Sequence, residues 1–340
     1  MTLPEKNADS SAHKEYNFSS REIIKELPHF TEKGITEFFV HDRELSSDKK
    51  ELKNLFSKMA LYAPEVFYTI ELASEALDKE LVSLASQIDC SLEFYLDGKE
   101  TQNGNLLFDK KLYSSKARLL NEADLVFGFK LNWALQKGDT FKAFRDRLDF
   151  ALSLYPNHIE FEQFEDKEKL FPRSTNIFSS KDMDFARGMA FACRTFYSAG
   201  RAVPWFNTVI NALRISPSAF FADFDEWQQC NNCSMDTGFI PEERKHEELE
   251  KMQLEFLKQK LDEKHKSHLF PCVKDLVSLH GAFSRLVEEG KESEVETSYN
   301  PDDVLSPYAL NLALFAENVT MENSTVRIFN NEGIPDYKIL

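Results

Sequence analysis

Residues 125–164 read LVFGFKLNWALQKGDTFKAFRDRLDFALSLYPNHIEFEQF, and the fold class turns on this stretch. Leu125 to Leu131 has the Leu, Val and Phe density of a strand. Asp139 then caps a helix whose inner face is Phe141, Phe144, Leu148, Ala151 and Leu152. His158 to Phe164 is a second strand, with Glu160 and Glu162 alternating with apolar positions. Strand, helix and strand in this order make a βαβ unit, which requires parallel strands.

Working outward, the same rhythm runs upstream. Ser19 and Glu22 stand at capping-box spacing, Ile23, Ile24, Leu27 and Phe30 follow at helical spacing, and Gly34 ends the helix. Ile35 to Val40 is a strand. Ser46 and Ser47 open a helix carrying Leu52, Leu55, Phe56 and Met59. Val66 to Ile70 is the next strand, and Ser74 opens a helix through Leu77, Leu81 and Leu84. Cys90 to Leu96 is a strand and 109–122 a helix. Five strands, each preceded by a helix, predict a parallel sheet with right-handed crossovers. A partial α/β barrel and an open doubly wound sheet both satisfy this periodicity.

After about residue 180 the character changes, and 181–198, 203–214, 217–229, 241–266, 271–289 and 302–317 read as helices, with 290–300 a charged linker. The division predicted is a disordered polar tail at 1–18, an α/β region at 19–180 and a helical domain at 181–340. Residues 242–266 are densely charged and read as a solvated helix.

Composition excludes several functions. The 340 residues carry 57 acidic and 41 basic side chains, a net charge of −16, which argues against a nucleic-acid partner. No apolar run reaches the roughly 20 residues of a bilayer span, so no membrane partner is expected. Residues 1–17 have no apolar core of a secretory signal, and five scattered cysteines make no disulfide framework, so the expected compartment is the reducing cytoplasm. The 11 glycines are about 3% of the chain, and neither GxGxxG nor GxxxxGK[ST] occurs. A small molecule or a protein is the expected partner.

Three stretches carry a family resemblance. Phe38-Phe39-Val40-His41-Asp42-Arg43-Glu44-Leu45-Ser46 is similar to the second barrel strand of radical S-adenosylmethionine enzymes of the cobalamin-binding-domain group. Phe67-Tyr68-Thr69-Ile70-Glu71, followed by Ala76-Leu77-Asp78-Lys79-Glu80-Leu81, resembles the third strand and its helix. Residues 127–140 with 144–150 resemble the fifth strand, the turn after it and the helix behind. The segment from Tyr197-Ser198-Ala199-Gly200-Arg201 through Ser216-Pro217 to Phe220-Phe221 is similar to the C-terminal extension of part of that group. The resemblance implies a partial (βα) TIM-type barrel over 19–180, lacking its first strand, followed by an α-helical domain.

Departures from the family decide the functional expectation. Its chemistry needs a CxxxCxxC loop whose cysteines hold three irons of a [4Fe-4S] cluster, with S-adenosylmethionine on the fourth. CxxxCxxC occurs nowhere in this sequence. The glycine-rich strand end is replaced by Asp42-Arg43-Glu44, and the Gly-Leu-Pro-Gly turn by Ala134-Leu135-Gln136-Lys137. The resemblance therefore implies a degenerate, cluster-less member, a binding or partner subunit or the C-terminal piece of a split enzyme. No cofactor is expected in isolation, and S-adenosylmethionine or cobalamin enters only through the resemblance.

In a barrel, function sits at the carboxyl ends of the strands. The residues there are His41, Asp42, Glu44, Glu71, Glu93, Asp97, Asn132, Glu160 and Glu162. Converging carboxylates suit acid/base work or a hard metal ion, which makes an enzyme the alternative reading. The structural alternative is interior charge paired with Lys130, Arg43 or Arg118. A third reading is a zinc-stapled interaction module. Cys230-Asn231-Asn232-Cys233 is the sequence's CxxC, and His246 follows at a zinc-finger interval, without the second histidine of a finger. Cys193, Trp133, Trp205 and Trp227 read as core, and His158 and His280 as lone and uninformative.

Overall fold

The computed structural model describes residues 19–41, 45–100, 102, 106–134, 138–161 and 175–340. The strands are β1 (Glu37–Val40), β2 (Phe67–Glu71), β3 (Asp89–Tyr95), β4 (Lys99–Glu100), β5 (Leu106–Leu107), β6 (Val126–Lys130), β7 (His158–Glu160), β8 (Ser293–Thr297), β9 (Ser324–Asn331) and β10 (Ile334–Ile339). The helices of the first half are α1 (Ser20–Glu26), α2 (Lys49–Tyr62), α3 (Lys79–Ala85), α4 (Lys110–Asn121) and α5 (Phe141–Leu152). Those of the second half are α6 (Ser180–Cys193), α7 (Phe206–Leu213), α8 (Pro217–Cys230), α9 (His246–Glu263), α10 (Phe270–Glu289), α11 (Pro301–Val304) and α12 (Leu312–Asn318). Among the described residues no helix is long and apolar enough to cross a membrane.

A five-stranded parallel sheet has the order β1-β2-β3-β6-β7, the order of the sequence. A doubly wound sheet needs a point where strand order reverses, and none occurs here. Without reversal, crossovers of one hand place their helices on one face. The strands show this by alternation. Tyr68, Ile70, Leu92, Phe94, Phe127, Phe129 and Ile159 are buried on the helix-covered face. The opposite face carries Thr69, Glu71, Ser91, Glu93, Lys130, His158 and Glu160. Toward the amino ends it also shows Phe39, Phe67 and Val126, which are exposed.

Several helix starts differ from the sequence reading. Asp48 caps α2, accepting from the Lys50 and Glu51 amides, where Ser46 and Ser47 had been expected to open it. Asp78 caps α3 through the Leu81 amide, and Ser74 lies outside that helix. Thr140 caps α5 through Ala143, because Asp139 is engaged by buried Arg147. The capping box of Ser19 and Glu22 is present.

The second half is not purely helical. Residues 293–297, inside the expected linker, form β8, the edge of an antiparallel sheet ordered β10-β9-β8. Its Glu294 and Glu296 point outward while Val295 and Thr297 are buried, so the high charge belongs to one face of a strand. The helices close over an aromatic cluster in which Phe196 lies 4.8 Å from Phe220 and 4.9 Å from Phe224, with Phe206, Phe256 and Trp205 around it. Each fully buried Phe contributes about 1.5–3 kcal/mol.

A π-helical turn, Arg194–Ala199, joins the halves. Ser198 Oγ accepts from the Ile159 amide at 3.1 Å and donates to its carbonyl at 3.3 Å, closing the β7 edge of the sheet. The Tyr197 hydroxyl donates to the Pro156 carbonyl at 2.6 Å. Gln253 Nε2 serves the Phe196 and Gly200 carbonyls that the wide turn leaves over.

Candidate functional site

Strand register places the charged residues in rows at the carboxyl ends. Glu71, Glu93, Gly128 and His158 stand side by side across β2, β3, β6 and β7. The next position on the same face carries Tyr95, Lys130 and Glu160. His41 follows the last residue of β1. A parallel sheet covered on both faces reads as apolar on both, and this face departs from that pattern with buried Glu71, Ser91, Glu93 and Lys130.

Two linked ion pairs organise the rows. Lys130 Nζ donates to Glu71 Oε1, and His41 Nδ1 meets Glu71 Oε2. The ammonium also lies 3.7 Å from Glu160 Oε2 and 5.8 Å from the Tyr95 ring centre. The second pair is His158 with Glu93, Nε2 standing 2.9 and 3.0 Å from the two carboxylate oxygens. Ser91 Oγ donates to Glu93 Oε1 at 2.6 Å, and His158 Nε2 is 3.8 Å from Glu160 Oε1.

Gly128 makes the second pair geometrically feasible. It sits between Glu93 and His158 in the register. A Cβ there would fall 2.2 Å from His158 Nε2 and 2.6 Å from Glu93 Oε2. Only a residue without a side chain lets the two groups meet over the intervening strand.

Burial and pairing set the protonation of this pair. Burial pushes the Glu93 carboxyl up, but the His158 hydrogen bond and charge, with Ser91 and Lys130, outweigh it and hold the group below its ordinary value. Burial pushes His158 down, but the Glu93 hydrogen bond and charge, joined by Glu160, carry it above the ordinary imidazole value. Each partner thus favours the charged form of the other. Among the described residues, three carboxylates, Glu71, Glu93 and Glu160, thus face Lys130, His158 and His41.

Arg147 holds the frame behind the rows. It is buried in α5, donating to the Leu96 carbonyl at 3.2 Å, the Asn132 carbonyl at 2.9 Å and Asp139 Oδ2 at 2.8 Å. It thus ties the ends of β3 and β6 to the loop that starts at Asn132.

Of the residues expected at the strand ends, the structure brings Glu71, Glu93, Glu160 and His41 into one charged cluster. Asn132 is buried at the end of β6 and engages Arg147 through its backbone. Asp97 offers its carbonyl to the Tyr113 hydroxyl at 3.5 Å. Asp42, Glu44 and Glu162, with Arg43, lie outside the described residues. Lys130 is a partner of Glu71, as the structural alternative held, whereas Arg118 pairs with Glu122 on the surface. His158, read as a lone histidine, is corrected to a central member. The available signal was its alternation with Glu160 along β7.

The zinc set is not assembled. Cys230 is exposed, while Cys233 is buried with Sγ on the Gln228 carbonyl. His246 is buried elsewhere, its Nε2 donating to the Gly200 carbonyl at 3.3 Å and its Nδ1 accepting from Arg285 at 3.1 Å. Among the described residues, the metal-ligating group that converges is Glu93, His158 and Glu160.

No protein-family model and no curated protein sequence matches the chain. Solved structures that resemble it include the radical S-adenosylmethionine methyltransferase TsrM from Kitasatospora setae with cobalamin and a [4Fe-4S] cluster bound. That structure aligns at TM-score 0.36 and 15% identity, over 42% of this chain and 30% of TsrM. A second TsrM structure, with tryptophan substrate and a S-adenosylmethionine analogue bound, aligns at TM-score 0.36 and 15% identity, over 51% of this chain and 34% of that one. The chain spans about a third of the length of these structures.

Proposed function

We propose that this chain is a cluster-less protein of the radical S-adenosylmethionine kind, a partial (βα) barrel that binds a small cationic or zwitterionic molecule on its charged sheet face. It acts as a binding protein or as the binding subunit of a partner enzyme. The observation that carries this reading is the Glu71–Lys130 and Glu93–His158 pairs, set side by side at the carboxyl ends of the strands with Glu160 between their cations. In the proposed complex Glu71 and Glu160 accept from the ligand's ammonium group and Lys130 donates to its carboxylate. S-adenosylmethionine, whose amino-acid end is such a zwitterion, is the first probe that the sequence resemblance suggests.

Calorimetric titration of the whole chain in EDTA with S-adenosylmethionine, S-adenosylhomocysteine and methionine tests it. The expected result is saturable binding of at least one probe that Glu71→Gln weakens about tenfold, the 1.4 kcal/mol of one charged hydrogen bond. No binding of any probe, or binding indifferent to Glu71→Gln, overturns it.

One observation favours a catalytic reading beside this. Glu93 orients the His158 imidazole as the orienting carboxylate of a general base does. Turnover of a bound probe that disappears in His158→Gln, with binding retained, is the outcome that supports it. Binding without turnover of any probe leaves the site a binding site.

A further inference from the structure

The geometry points to a binding site for a divalent transition-metal cation of the zinc class, formed by Glu93, His158 and Glu160 on the polar sheet face. This deepens the reading above, since such a cation grips an amine or carboxylate that the same face would hold. One donor atom from each of the three residues lies within 4.8 Å of the others.

The two separations to the imidazole nitrogen lie close to those of a tetrahedral shell. Donors about 2.0–2.1 Å from a zinc ion stand about 3.3–3.4 Å from one another. Glu93 Oε2 and His158 Nε2 are 3.0 Å apart, and His158 Nε2 and Glu160 Oε1 are 3.8 Å apart, so the two straddle that edge length. Each needs to move by less than about half an ångström to match it.

The partners of each ligand are divided in a way that suits coordination. Ser91 holds Glu93 by Oε1 at 2.6 Å and so fixes the carboxylate with both oxygens facing His158 Nε2, Oε1 at 2.9 Å and Oε2 at 3.0 Å. Lys130 lies by Glu160 Oε2, at 3.7 Å, while Oε1 is the oxygen toward His158. Outer partners of this type fix ligand orientation in metal sites. Glycine at 128 keeps the space between Nε2 and Oε2 open, since a Cβ would stand within bonding distance of a metal ion's donors. On coordination the Nε2 proton leaves to solvent and the nitrogen lone pair takes the ion. Two carboxylates and a neutral imidazole balance a divalent charge, and the mixed nitrogen and oxygen set selects zinc, cobalt, manganese or iron(II) over calcium.

The test uses the whole chain, stripped with EDTA and titrated with Zn²⁺ by calorimetry and with Co²⁺ by visible absorption, no organic probe being present. Expected are one equivalent bound and cobalt d–d bands without thiolate charge transfer. His158→Ala should abolish binding, Glu160→Gln should weaken it at least about tenfold, and the Cys230→Ser/Cys233→Ser double variant should leave it unchanged. Glu160 is half-exposed, so Glu160→Gln decides the matter if circular dichroism shows His158→Ala unfolded. No saturable binding, binding that survives Glu160→Gln, or thiolate bands in the cobalt spectrum overturns the inference. Because the zwitterion titration is run in EDTA, failure of the metal site and failure of the proposed ligand site appear in separate experiments.

Discussion

His158 and His246 are both imidazoles withdrawn from water, yet the two regions around them shift their proton affinity in opposite directions. His158 faces a buried carboxylate and is held above its ordinary value. His246, at the start of α9, is pushed down to about 4, first by burial and then by the charge of Arg201. Its two nitrogens are both committed, one to the Gly200 carbonyl and one to Arg285, so it pins the π-helical turn to α9 and α10. Burial alone drives charge off an imidazole. A carboxylate of fixed geometry keeps it there, and only that arrangement leaves a group able to exchange a proton or a ligand.

The largest expected effect breaks the closed region. Arg285→Ala strands Glu250 and His246 in the interior, and the expected loss is about 3–5 kcal/mol of unfolding free energy, read by urea denaturation. Gly128→Ala attacks the open region. Its methyl group must displace His158 from Glu93, at a cost of about 1–3 kcal/mol. Imidazole NMR should then show the His158 pKa falling, because burial remains while the carboxylate's support is lost. A His158 titration unchanged in this variant would show that the pair does not set its charge.

A pH series sharpens the contrast through its sign. His158 is raised on folding, so its contribution is full below the ordinary imidazole pKa and is lost as pH rises through the folded value. Glu93 is lowered, so its contribution is full above the ordinary carboxylate pKa and is lost as pH falls through the folded one. Their pair therefore favours the folded state most between those limits. His246 is lowered to about 4, so its contribution is present above the ordinary imidazole value and is lost as pH falls toward 4. His246→Asn should remove a gain of about 1–3 kcal/mol between pH 4 and pH 7, whereas Asn at 158 should remove a contribution that declines at high pH. The smallest expected change is Ser198→Ala, which loses the bonds to Ile159. It should cost about 1 kcal/mol and leave both imidazole titrations as they were.

The contrast between local and distant causes also explains what the sequence discloses. The five strands and the helices between them are legible because apolar spacing is a local signal, as in Ile23, Leu27 and Phe30 of the first helix. Glu71 and Glu93 stand out as acidic residues at strand ends. His158 does not, because its carboxylate comes from β3 and the room for the contact comes from β6, at Gly128. Asp139 has the residue type of a cap, but a buried arginine two turns along the helix claims it, and Thr140 takes the role. In 290–300, glutamates at 292, 294 and 296 suggest a linker. The period-two burial of Val295 and Thr297 appears only once Ser324–Asn331 lies beside them. The hairpin that follows, with Glu332 and Gly333 both at positive φ, carried a turn signal that the helical reading of the tail passed over.

The unreversed strand order also has a consequence for synthesis on the ribosome. Each strand of the parallel sheet pairs with the one made just before it, so the sheet extends in step with the emerging chain. Loop closures between neighbouring strands stay short. The last strand to join, β7, is the exception. Among the described residues, the side chain that closes its outer edge is Ser198, on the Ile159 amide and carbonyl, so that closure waits until Ser198 has been made.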